Sequence, residues 1–82
     1  MNHIEYTVKL HAPELEAKIR HARILEVFDE LKAGQLMELT NDHDPKPLHY
    51  QFMMEREGMF SWEYAEEGPT LWRVTIGKNN HM

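Results

Sequence analysis

The stretch Ile24-Leu25-Glu26-Val27-Phe28-Asp29-Glu30-Leu31 carries apolar side chains at i, i+3, i+4 and i+7 (Ile24, Val27, Phe28 and Leu31), the stripe of a helix with one buried face. Its neighbours on either side follow a different period. Upstream, Ile4, Tyr6, Val8 and Leu10 alternate with Glu5, Thr7 and Lys9, which predicts a strand. Downstream, Met37 and Leu39 flank Glu38 in a second short strand. The helix is expected to run from Arg20 or His21 to Lys32, with Gly34 ending it in a left-handed conformation. A helix between two strands of one sheet makes those strands parallel, with a right-handed crossover.

Further along, Asn41-Asp42-His43-Asp44-Pro45 turns the chain into a second helix. Asp44 before Pro45 predicts the helix start, the carboxylate capping a backbone donor and proline taking the first position. Leu48 and Phe52 mark its inner face, and Gly58 stops it. Phe60, Trp62 and Tyr64 alternate with polar residues, as do Trp72, Val74 and Ile76, and Glu66-Glu67-Gly68-Pro69 joins the two runs into an antiparallel hairpin. Trp62 and Trp72 are expected to face each other across it. The fold class is therefore α/β (α+β), a two-layer sandwich of order β-α-β-α-β-β, with two helices on one face of a four-stranded mixed sheet. No repeat or linker divides the chain, so residues 1–82 read as one domain.

Composition limits the function. With 41% hydrophobic residues and eight aromatics, the chain can build a core, but 82 residues without cysteine leave a thin stability margin. A net charge of -5 opposes nucleic acid, whose binding relies on clustered lysine and arginine. No apolar run approaches the roughly 20 residues that span a bilayer. Met1-Asn2-His3-Ile4-Glu5 also lacks the charged-then-apolar pattern of a signal segment, so a cytoplasmic location is expected.

The chemistry concentrates in Asn41-Asp42-His43-Asp44-Pro45-Lys46-Pro47. Parallel strands send both following loops to the same sheet border, which brings His21, at the first helix start, toward His43. Flanked by Asp42 and Asp44, the two imidazoles are candidate ligands of a divalent transition metal, and His21, Asp42, His43, Asp44 and Lys46 form the candidate ligand-binding set. Helix starts ordinarily favour anions. Here Pro45 and Pro47 supply no N–H and the two aspartates would repel a phosphate, so a cation or a donor-rich ligand is the expected occupant. Lys46 would contact a carboxylate or carbonyl. Two other accounts stand beside this one: a purely structural loop of cap and turn residues, and an acid/base enzyme centred on His43. His3, His11, His49 and His81 lack metal-ligand spacing, and Met53, Met54 and Met59 read as core filling.

The run Asn41 to Leu48, with Arg20-His21, Phe28-Asp29, Trp62-Glu63-Tyr64 and Gly68-Pro69 before Trp72-Arg73-Val74, resembles the bacterial domain of unknown function 2249. The resemblance covers Leu10 to Ile76. It implies a fold similar to the TusA and SirA sulfur-relay proteins, and a setting beside hemerythrin-like or redox proteins in iron or redox metabolism. Sulfur relay needs a persulfide-carrying cysteine, and this chain has none, which excludes that chemistry. His11-Ala12-Pro13 stands where the family usually has an aspartate and an arginine. The reading at this stage is a small ligand-, metal- or partner-binding module, with the acid/base enzyme or a pure interaction adaptor as alternatives.

Overall fold

A computed structural model describes residues 4–80. Four strands and two helices follow in the expected order: β1 (Val8–His11), α1 (Arg20–Glu30), β2 (Leu36–Asn41), α2 (Lys46–Glu55), β3 (Phe60–Glu67) and β4 (Trp72–Lys78). A 3-10 turn (Ala12–Glu14) leads from β1 toward α1. The sheet order is β1-β2-β4-β3, with β1 parallel to β2 and the other two pairings antiparallel. This is a two-layer α+β sandwich.

Alternation decides which side of the sheet each residue serves. Met37 and Leu39 of β2 and Val74 and Ile76 of β4 are almost wholly buried against Ile24, Val27 and Phe28 of α1 and Leu48 and Phe52 of α2. Phe28 meets Phe52 edge to face at 5.2 Å, which locks the helices together over the sheet. A second tie lies at the far end of both helices. Arg56, just past α2, donates from Nε and Nη2 to the two carboxylate oxygens of Asp29 on α1, at 2.8 and 2.7 Å. The opposite sheet face is polar: Arg73 donates to Glu38 (3.2 Å) and to Glu66 (3.1 Å).

The structure differs from the sequence reading in several places. β1 starts at Val8, four residues later than Ile4, because the ladder ends where Thr7 N–H donates to the carbonyl of Leu36, the first residue of β2. Tyr6 then leaves the alternation and its hydroxyl bonds Thr75 Oγ1 on the polar face at 2.8 Å, while Ile4 is exposed. α1 ends at Glu30, and Leu31 already has extended backbone and is buried. Gly34 does adopt positive φ (86°), but in the following turn, where its N–H donates to the carbonyl of Lys78. Trp62 pairs with Ile76 and Trp72 with Glu67, so the tryptophans are not opposed; a register shift between Tyr64 and Glu66 lies between them. Met53 and Met54 are exposed, and only Met59 of that trio packs on the core.

Candidate functional site

β1 and β2 run parallel and in register, His11 beside Thr40, so the chain leaves both at one border of the sheet. His11 and Thr40 hydrogen bond there, Nδ1 to Oγ1, at 2.7 Å. The segments that follow lead into α1 and α2, and a pocket of about 50 Å³ opens between the two helix starts. Its floor is apolar: Ala12, Ile24, Leu39 and Leu48, each at most 2% exposed. Pro45 and Pro47 form one wall. The polar lining is Arg20, His21, Asn41 and His43.

Each of these four is held by a recognisable local device. Arg20, the first residue of α1, donates from Nη2 to the carbonyl of Leu15 at 3.0 Å, and its buried Nε has no partner. Asn41, 5% exposed at the end of β2, accepts the N–H of Asp42 at Oδ1, which leaves its amide nitrogen as the donor it can offer. His21 is braced by a relay across to α2. Gln51 donates from Nε2 to the Glu55 carboxylate (2.9 Å), which turns its Oε1 toward His21 Nδ1, also at 2.9 Å. An amide oxygen only accepts, so the His21 proton sits on Nδ1. At the rim, His43 Nδ1–H donates to Asp42 Oδ1 at 2.7 Å. That bond holds the Asp42 carboxyl below its usual pKa, with a weaker pull from the charge of Arg20. Both imidazoles therefore keep Nδ1 occupied and have only Nε2 left for a ligand.

The expected convergence of His21 and His43 on one pocket is present. The carboxylates do not join them there. Asp42 is exposed and serves His43 from outside the lining, and Asp44 accepts the Tyr64 hydroxyl at 2.7 Å on the side of β3. Asp44 is not the cap of α2 either: Pro45 occupies that position, and no side chain caps it. Tyr64, tethered by its own strand, competes for the carboxylate and wins. Lys46 is exposed and does not line the pocket. Among the described residues no three His, Asp or Glu side chains are placed to hold a metal ion, and His3 and His81 lie outside those residues.

The polar pocket residues outside the expected ligand set are Arg20 and Asn41, and Gln51, which braces His21 from outside the lining, was missed as well. Arg20 adjoins His21, so its place at the helix start was available as a signal; Gln51, thirty residues from His21, offered none. A second missed cluster lies behind α2, where the His49 ring stacks on Trp62 at 4.3 Å with 2° between planes. Burial there pushes the imidazole pKa down, against an upward pull from Asp44.

Comparison with known proteins bears on this geometry. A family described as "Uncharacterized conserved protein (DUF2249)" matches residues 9–78. The chain belongs to that family. The DUF2249 match includes every residue lining the pocket, all of β2, and β1 except Val8. No curated protein and no solved structure matches the chain. Within this DUF2249 chain, no helix of the described residues is long and apolar enough to cross a membrane.

Proposed function

We propose that this DUF2249 chain is a binding module for a small carboxylate-bearing anion, held between the starts of α1 and α2. The observation that carries the reading is the charge of the lining. Arg20 brings a permanent guanidinium with an unpartnered buried Nε, and no carboxylate stands with it in the pocket wall. A divalent metal would meet that positive charge with two imidazoles as its protein ligands, which is a poor site. An anion meets the Arg20 guanidinium and the free N–H side of the Asn41 amide. The apolar floor suits the carbon skeleton of an organic acid better than a fully polar ion. The sequence-level objection to an anion rested on the missing N–H groups of Pro45 and Pro47 and on Asp42 and Asp44; the aspartates do not line the pocket, and with the prolines in its wall the donors are left to the Arg20 and Asn41 side chains.

Titrating propionate into the protein, followed by amide chemical shifts, tests this. Saturable shifts confined to Ala12, Arg20, His21, Asn41, His43 and their neighbours are expected. Zinc in place of propionate should give no saturable change at the two histidines; a zinc isotherm with no propionate response would restore the metal reading.

A second reading has its own support. Tyr50, Met53 and Met54 lie at i, i+3 and i+4 on α2 and are 61%, 42% and 83% exposed, a soft apolar stripe suited to a protein partner. The hemerythrin-like or redox setting implied by the family resemblance would supply such a partner. Replacing Met53 and Met54 by glutamate should then release it while leaving propionate binding unchanged.

A further inference from the structure

The two histidines restrict the ligand beyond its charge. A neutral imidazole whose Nδ1 carries the proton presents a lone pair at Nε2, and a lone pair repels a carboxylate oxygen. The Gln51–Glu55 relay selects that tautomer at His21, whose ring lies beside the Arg20 charge, whereas at His43 the Asp42 carboxylate also suits the imidazolium, a donor at Nε2. An anion with acceptors alone would thus satisfy Arg20 and Asn41 but confront the His21 Nε2 acceptor in the same lining. The missing element is a hydrogen-bond donor on the ligand, placed close to its carboxylate because the pocket is small. At about 50 Å³ it holds roughly three to five water-sized groups.

Resting on the anion-binding reading, we propose that the ligand is a 2-hydroxycarboxylate of two or three carbons. Its carboxylate lies against the Arg20 guanidinium and the Asn41 amide, and its hydroxyl donates to an imidazole Nε2. A 2-amino acid fits less well, since its ammonium would add positive charge beside Arg20 with no carboxylate in the lining to receive it. Inorganic phosphate also carries hydroxyl donors, but it would turn oxygens toward Ala12, Ile24, Leu39 and Leu48. The apolar floor therefore favours the organic acid. Gln51 is a positioning residue in this scheme: it touches no ligand and acts by holding the His21 tautomer.

Calorimetric titrations with glycolate against acetate, and with lactate against propionate, isolate the hydroxyl. Sites that bond a substrate hydroxyl discriminate against analogues lacking it, and a preference of about tenfold or more for the hydroxy acids is expected. Gln51→Met should shrink that preference without weakening acetate or propionate, and long-range ¹⁵N–¹H spectra of His21 should show the proton on Nδ1 in the parent protein. Equal affinity for hydroxy acid and parent acid would overturn the proposal while leaving the anion reading intact, as would tighter binding of phosphate or a His21 proton found on Nε2. Failure of all four acids and of phosphate to bind would remove both.

Discussion

Arg20→Met separates a ligand-binding arginine from a structural one, because one role shows in affinity and the other in stability. Methionine keeps much of the aliphatic body that packs at the start of α1 and removes the guanidinium. Two stability terms follow. Losing the Nη2 bond to the Leu15 carbonyl, made by a charged donor, costs about 1.5–3 kcal/mol. Removing a buried Nε that has no partner returns its desolvation penalty, about 1–3 kcal/mol. The sum runs from a loss of about 2 to a gain of about 1.5 kcal/mol, so the variant should stay within about 2 kcal/mol of its parent's stability. Affinity should behave otherwise. A hydrogen bond to a charged group contributes about 1.5–3 kcal/mol, so propionate should bind roughly 10- to 150-fold more weakly. Urea denaturation followed by circular dichroism gives the first quantity and calorimetric titration the second. A loss of more than about 2 kcal/mol of stability with propionate affinity unchanged would refute the reasoning, since it would make Arg20 a structural brace whose Nε is satisfied in solution.

Phe52, wholly buried and in edge contact with Phe28, Phe60 and Trp62, should cost about 3–5 kcal/mol as Phe52→Ala. Since 82 residues supply about 4–12 kcal/mol in total, the urea midpoint should fall by at least about a quarter; a midpoint near that of the parent would contradict the packing account. His49 has a folded-state pKa pushed below its ordinary 6.5 by burial against Trp62, so the unfolded chain takes up the proton first as pH falls. Its contribution is complete above pH 6.5 and is lost as pH falls from there through the lower folded value, and His49→Phe should flatten that part of a stability-against-pH curve. Gly68 has φ near +60° and a Cβ there would lie 2.8 Å from the Trp72 indole, so Gly68→Ala should lower stability by at least about 1–2 kcal/mol in thermal or urea melts.

The elements that sequence reading found were those whose periodicity reports packing directly. The stripe of α1 and the two alternating runs of the hairpin are legible because one face of each meets the same core, and the core admits only apolar side chains. Where alternation continued past the end of pairing, as at Ile4 and Tyr6, the pattern overstated the strand. Tyr6 has the hydrophobic body of a core residue, but its hydroxyl is taken by Thr75, a partner 69 positions away that no local period contains. The cap assigned to Asp44 failed for the same reason. An N-cap rule is local, whereas Tyr64 reaches the carboxylate from another strand.

The site was half legible by the same logic. Topology alone predicts that the segments after two parallel strands converge, and His21 and His43 do share one pocket. Topology says nothing about which side chains at that border face inward. Asp42 and Asp44 dominate the sequence as written, so a cation seemed the better occupant; with Asp42 exposed beside His43, Asp44 taken by Tyr64 and neither in the lining, Arg20 sets the charge of the wall, and the occupant we propose is an anion. Asp42 still acts on the pocket, through the proton it fixes on His43. Gln51 does the same for His21 from the second turn of α2. Gln51 and Asp42 thus set the ring tautomers from outside the lining, and on the reading proposed above ligand choice should respond to Gln51 more than ligand affinity does.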